Sequence, residues 1–293
     1  MLSFSLPAHS QPQLLPEVLR HLKISLTLRR KLKKASDAIL VNNHPVPWNT
    51  LIHPGDTVSI NWPSDCTIEP HALPLTICYE DSSLLVIDKP AGLLVHPASG
   101  NHSELTLANA VIHHLKSETV APSFHPVHRL DRNTSGLLLV AKNPYCQHLF
   151  SVSSDKNLRR SYLAVVTGIP SPPEGIIDAP IGRLAGSIIE RSVQPDGQNA
   201  ITHYKTLAVF PQHSLVELRL ETGRTHQIRV HLSYIGHPIV GDDLYGGSRE
   251  LISRQALHAT RLQFIHPISG EPLDITSPLP EDIEFLINNL QNQ

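Results

Sequence analysis

Disulfide chemistry has little to work with here: the 293 residues include three cysteines, Cys66, Cys78 and Cys146, far apart and without a C-x-x-C pair. That argues against a disulfide framework and a cysteine-built zinc site, and a reducing, cytoplasmic setting is expected. No apolar run approaches the length of a membrane span, so no membrane association is expected. The opening MLSFSLPAHSQPQ has no basic stretch followed by an apolar one, which argues against a secretory signal. Excess charge is missing too: the formal net charge is -2 and the pI is near 6.8. A protein that coats nucleic acid over its whole surface is thereby disfavoured, although a local basic surface is not. There is no G-x-S-x-G elbow and no G-x-x-x-x-G-K phosphate loop. The 19 histidines are scattered, with no H-E-x-x-H and no supporting cysteines, so no metal is expected.

What is present is a core-forming composition, 40% apolar and 17% charged, in a length that allows about two domains. From Arg20 to Lys34 seven cations stand without an acid, and leucines recur at roughly helical spacing. Two short helices are expected there, the second basic through Arg29, Arg30, Lys31, Lys33 and Lys34. Strands follow at Ala38 to Val41 and Thr57 to Trp62, giving a small helix–helix–sheet module over residues 1–64. Residues 65–75, rich in proline, read as a linker, and residues 76–293 as a second domain. Strands are expected at Ser83 to Ile87, Leu137 to Ala141, Tyr162 to Thr167 and Leu215 to Leu220. A helix is expected over Thr225 to Ile235, with Thr225 as N-cap and Gly236 at its end. The fold class is α+β: a mixed, largely antiparallel twisted sheet flanked by helices and loops.

Two stretches concentrate chemistry. His128-Arg129-Leu130-Asp131-Arg132-Asn133-Thr134-Ser135-Gly136 puts a carboxylate, two arginines and two hydroxyls on a loop at a strand's edge. Taken alone, it also reads as an aspartate capping a turn between solvated arginines. Thr222-Gly223-Arg224-Thr225-His226-Gln227-Ile228-Arg229 follows a strand and opens a helix, where backbone amides suit an anion and Arg229 suits a carboxylate. Alone, Arg229 reads as a surface arginine on an amphipathic helix. A glycosidase needs two cooperating carboxylates, and the first stretch supplies one.

Together these stretches resemble a known family. H-R-L-D-x-x-T-S-G is similar to the signature motif of RluA-type RNA pseudouridine synthases. T-G-R-T-H-Q-I-R with G-H-P-I-V-G-D-D-L-Y-G resembles their later motif, Lys89-Pro90-x-Gly92 their K-P-x-G turn, and Arg160-Ser161-Tyr162 their K/R-x-Y element. The resemblance spans about Thr76 to Pro280 in the family's order. The N-terminal module is similar to the small RNA-binding domain named after ribosomal small-subunit protein four, with Asn43 where that domain usually has glycine.

The resemblance implies isomerisation of uridine in structured RNA, ribosomal or transfer RNA, without a cofactor. It makes Asp131 the catalytic carboxylate, Arg229 its charge partner and Tyr162 the ring that stacks on uracil. It has Arg129 fill the space of a flipped base. Lys89, Arg132, Arg224 and the basic helix are then candidates for phosphate contacts, and Ile228 for a pocket wall. A monomer is assumed. The competing expectation is a catalytically silent RNA-binding protein or ribosome-assembly factor.

Overall fold

The computed structural model describes residues 2–35, 37–64, 66–97, 104–117, 122–152 and 158–292. The N-terminal segment runs β1 (Leu2–Ser5), β2 (Gln13–Leu14), α1 (Leu15–His21), α2 (Leu26–Lys34), β3 (Ile39–Val41), β4 (His44–Pro45), β5 (Leu51–Ile52) and β6 (Thr57–Ile60). Ser25 caps α2 by accepting the Leu28 amide at 3.2 Å. Asn42 and Asn43 both take positive φ between β3 and β4, as the turn reading requires. Leu15, Leu19, Ile24, Leu32, Ile52 and Ile60 form a separate small core. Tyr145 and Leu149 join that core from α4 (Pro144–Val152), and the Tyr145 hydroxyl donates to the Leu22 carbonyl at 2.7 Å.

After it come β7 (Thr76–Glu80), β8 (Leu84–Lys89), α3 (Leu107–Leu115), β9 (His125–Pro126), β10 (Ser135–Ala141) and, beyond α4, β11 (Leu158–Thr167). Then follow β12 (Glu174–Asp178), β13 (Ile181–Arg183), β14 (Arg191–Val193), β15 (Ile201–Val209), β16 (His213–Leu220), α5 (Gln227–Tyr234), β17 (Leu257–Ile265), β18 (Pro272–Thr276) and α6 (Glu281–Gln291). The large sheet has the order β12-β15-β16-β11-β17-β10-β8-β7, with β9 on β10 and β18 on β17. Its pairs are antiparallel except β10 with β17, where Ser135 and Gly136 lie beside His258 and Ala259. The expected mixed, largely antiparallel sheet is therefore the observed one.

Residue alternation divides the core. Leu85, Ile87, Leu138 and Val140 face α3, α5 and α6, whereas Leu84, Val86, Leu137, Leu139 and Cys146 pack on the opposite face. The one parallel contact is close: a Cβ on Gly136, whose φ is 108°, would sit 2.3 Å from the Ala259 carbonyl oxygen. Backbone conformation and space both demand glycine there. Gly136→Ala is expected to cost about 3 kcal/mol or more, read as a fall in the urea midpoint of unfolding. An unchanged midpoint would mean that the close approach is not maintained.

Helix α5 is shorter than expected and starts after His226, not at Thr225. The Gln227 side chain accepts from the Thr222 hydroxyl at 2.8 Å and the Arg224 amide at 2.9 Å, and so closes the preceding turn. His226 then takes φ 57° at the N-cap position, without a side-chain cap bond. Gly236, at φ 83°, ends the segment as expected.

Candidate functional site

The loop before β10 is anchored on both sides of Asp131. Leu130 is buried in the main core, and the Thr134 amide returns to the Asp131 carbonyl at 3.2 Å. Arg254 donates to the Asn133 carbonyl at 3.1 Å and the Ser135 hydroxyl at 3.3 Å, while Asp282 of α6 holds its far side at 2.6 and 2.8 Å. Ser135 also meets His258 Nδ1 at 2.9 Å, and Gln255 donates to the Thr134 hydroxyl at 3.3 Å. His128 Nε2 accepts the Leu139 amide at 3.2 Å, and burial, then Arg160, lowers its pKa to about 3, so it is a neutral strut. The hydroxyls and histidine of the motif thus build the loop, and its carboxylate stays half-buried at the surface of the site.

Arg229 meets that carboxylate from α5. Its Nη1 donates to Asp131 Oδ2 at 3.1 Å, while Nε and Nη2 donate to both oxygens of Asp242 at 2.7 Å each. Asp242 is 1% exposed and Arg229 8%. The guanidinium also lies over the Tyr245 ring, 4.9 Å from its centroid. Burial opposes its charge, but Asp242 and Asp131 overcome that and hold it firmly protonated. Asp242 and Tyr245 were not singled out in the sequence, although both stand within the later motif stretch. The adjacent pair Asp242-Asp243 was the available signal.

Tyr162 lies on β11, beside a bulge between Ser161 and Tyr162, and is 4% exposed. Burial raises its hydroxyl pKa, with Arg160 opposing and Asp131 adding to the rise, so it is a neutral phenol. Arg129 is exposed. Arg132 is exposed and paired in two-pronged fashion with Glu104, so a phosphate would have to displace that carboxylate. Arg224 is exposed, with Nε on the Asn199 carbonyl at 2.9 Å. Arg30, Lys31, Lys33 and Lys34 project from α2 as exposed cations, and Arg29 is half-buried with Nε on the Ile24 carbonyl at 3.1 Å.

One assignment is corrected. Lys89 cannot reach a phosphate from its place: it is 0% exposed, and its Nζ donates to the Pro90, Leu93 and Arg132 carbonyls at 2.7, 3.0 and 3.0 Å. It ties the K-P-x-G turn to the loop that carries Asp131. Ile228 is 5% exposed and packs in the main core, in the same cluster as Tyr162. One helical step from Arg229, which points at Asp131, turns it inward.

Burial lowers the Lys89 pKa to about 7, against the pull of Asp131 and of the three carbonyls, which only the ammonium form can satisfy together. An unfolded lysine holds its proton to about pH 10.4. Between these values the unfolded chain binds more protons, so this residue makes stability rise with pH across that window. Thermal midpoints from pH 7 to 10 should therefore climb less steeply in Lys89→Met than in wild type; parallel curves would show that Lys89 keeps an ordinary pKa.

Among the described residues no group of three or more histidine, cysteine, aspartate or glutamate side chains gathers to hold a metal ion, and no helix is long and apolar enough to cross a membrane.

A family model described as RNA pseudouridylate synthase matches residues 83–234. The uncharacterized RNA pseudouridine synthase YjbO of Bacillus subtilis is 43% identical over 271 residues, 91% of this chain and 95% of that one. The ribosomal large subunit pseudouridine synthase D of Xanthomonas campestris is 42% identical over 275 residues, 88% and 82% of the two chains. Among solved structures, human RNA pseudouridylate synthase domain containing 4 superposes with a TM-score of 0.60 at 26% identity, over 74% of this chain and 93% of that one. The chain belongs to the RNA pseudouridine synthase family, in its RluA-type branch. It is an isomerase that acts on RNA.

Proposed function

We propose that the chain converts uridine to pseudouridine in large-subunit ribosomal RNA, with Asp131 as the catalytic carboxylate. The observation that carries this reading is the one-sided hold on Asp131: Arg229 binds Oδ2 through a single nitrogen, while buried Asp242 occupies the rest of the guanidinium. The carboxylate lies next to a cation and still has an oxygen to work with. The reaction breaks the bond from uracil N1 to ribose C1′ and forms one from C5 to C1′. C5 loses a proton and N1 gains one, so nothing is oxidised and no cofactor is needed. Attack on the sugar, attack on the base and removal of a sugar proton all draw on an ionised Asp131.

In this reading Tyr162 supplies a ring for the uracil to stack on, and Arg129, exposed two residues before Asp131, fills the gap left by a flipped base. The ribosomal target rests on the name of the Xanthomonas relative. RNA carrying tritium at uridine C5 tests the whole reading. Release into water from large-subunit ribosomal RNA supports it, and release from transfer RNA alone moves the substrate. Bound RNA without release from either favours a silent binding or assembly role.

The N-terminal segment, residues 1–64, serves in this reading as a separate RNA-binding module, joined by residues 65–75 to the catalytic domain over 76–293. The exposed cations of α2 support it. A groove of about 540 Å³ runs from Ser25 and Leu28 past Gln147 and Arg160 to Thr222, linking the module to the catalytic side. Replacing Arg30, Lys33 and Lys34 together by alanine should weaken RNA binding and flatten the slope of log affinity against log salt by up to about three. An unchanged slope would remove α2 from the RNA surface.

A further inference from the structure

We propose that His226 is a positioning residue for Asp131: Tyr245 holds it as the Nε2–H imidazole, and that N–H faces Oδ1, the oxygen that Arg229 leaves free. The proposal rests on Asp131 being the catalytic carboxylate.

Three observations lead to it. His226 Nε2 stands 4.0 Å from Asp131 Oδ1, on the side away from the Arg229 contact. That is roughly 1 Å beyond a hydrogen bond, and such contacts tighten when substrate closes a site. Secondly, the tautomer can be assigned from the partners. The Tyr245 oxygen accepts the Arg191 amide at 3.0 Å and lies 2.8 Å from His226 Nδ1. A phenol has one proton, and Nδ1 is the acceptor beside it. Donation to Nδ1 leaves the imidazole proton on Nε2. If Nδ1 carried the proton instead, the phenol proton would lose that acceptor. Thirdly, His226 adopts φ 57°, a conformation that side chains other than glycine rarely take, and its ring packs edge-on against Tyr245 at 5.7 Å. Local strain is held at the residue that aims this ring.

The imidazole is neutral at neutral pH because burial lowers its pKa; Asp131 and Asp242 pull upward, Arg229 and Arg191 downward. A neutral donor restrains Oδ1 without adding a second cation that would weaken the carboxylate as a base or nucleophile. One Arg229 nitrogen on Oδ2 leaves the carboxylate free to pivot, and a donor facing Oδ1 limits that pivot.

The test combines kinetics with a tautomer measurement on the full chain. His226→Phe should lower kcat for tritium release by about tenfold or more with KM little changed, and His226→Gln, which restores an N–H at that position, should recover most of it. In ¹⁵N-histidine NMR, the signal lost in His226→Gln should show Nε2–H in wild type and a mixture in Tyr245→Phe. Wild-type kcat in His226→Phe, equal losses in Phe and Gln, or an Nδ1–H signal would each overturn the proposal. The NMR result on wild type stands even if a variant folds poorly. If Asp131→Asn itself stays active, the reading of Asp131 falls instead, and the two failures are told apart.

Discussion

Asp131→Asn is expected to lower single-turnover tritium release by about a thousandfold or more while leaving the fold and RNA affinity nearly unchanged. The change is close to isosteric and removes the charge and the lone-pair basicity that each version of the chemistry uses. The fold should tolerate it because the Asp131 side chain is 26% exposed and Arg229 keeps both bonds to Asp242. Filter binding at fixed salt would report RNA affinity, and thermal melting the fold. Turnover above a few per cent of wild type would remove Asp131 from the nucleophile or base role. A matching loss of RNA affinity would assign it to binding.

Asp242→Ala is expected to damage stability and turnover together. Asp242 does not face the reaction, but it takes two of the three Arg229 contacts with carboxylates. Removing one partner of a buried ion pair leaves an uncompensated charge and costs about 3–5 kcal/mol. The freed guanidinium would then turn its vacant nitrogens to Asp131 and draw the carboxylate inward. A displacement of roughly 1 Å at a reacting group costs about a hundredfold in rate. Urea unfolding and kcat should therefore fall in one variant, whereas Asp131→Asn lowers kcat alone. A full-rate Asp242→Ala enzyme would show that the geometry of Asp131 does not depend on the second carboxylate.

Much of the architecture was legible because its signals are local. The apolar run at Leu137 to Ala141 and the alternation at Leu215 to Leu220 became β10 and β16. The meeting of Asp131 with Arg229 was readable only through resemblance, since 98 residues separate them. What escaped the sequence depends on tertiary surroundings. Lysine is normally exposed, and nothing near Lys89 announces that three carbonyls will enclose it. Of the neighbours Asp242 and Asp243, only the first is buried against an arginine, and that arginine lies 13 residues earlier. The start of α5 was misplaced because a glutamine side chain closes the turn where Thr225 would have capped the helix.

The anchoring of the Asp131 loop by Arg254 and Asp282 bears on when that loop can take its final form. Arg254 reaches back 121 residues to Asn133, and its own partner lies 28 residues further on, in the last helix. Contacts of such separation form late, because the chain must close long loops before any bond compensates for the lost freedom. On a translating ribosome, the Asp131 loop emerges well before the residues that brace it. A nascent chain can already form the basic α2 while the loop that carries Asp131 still lacks its last braces.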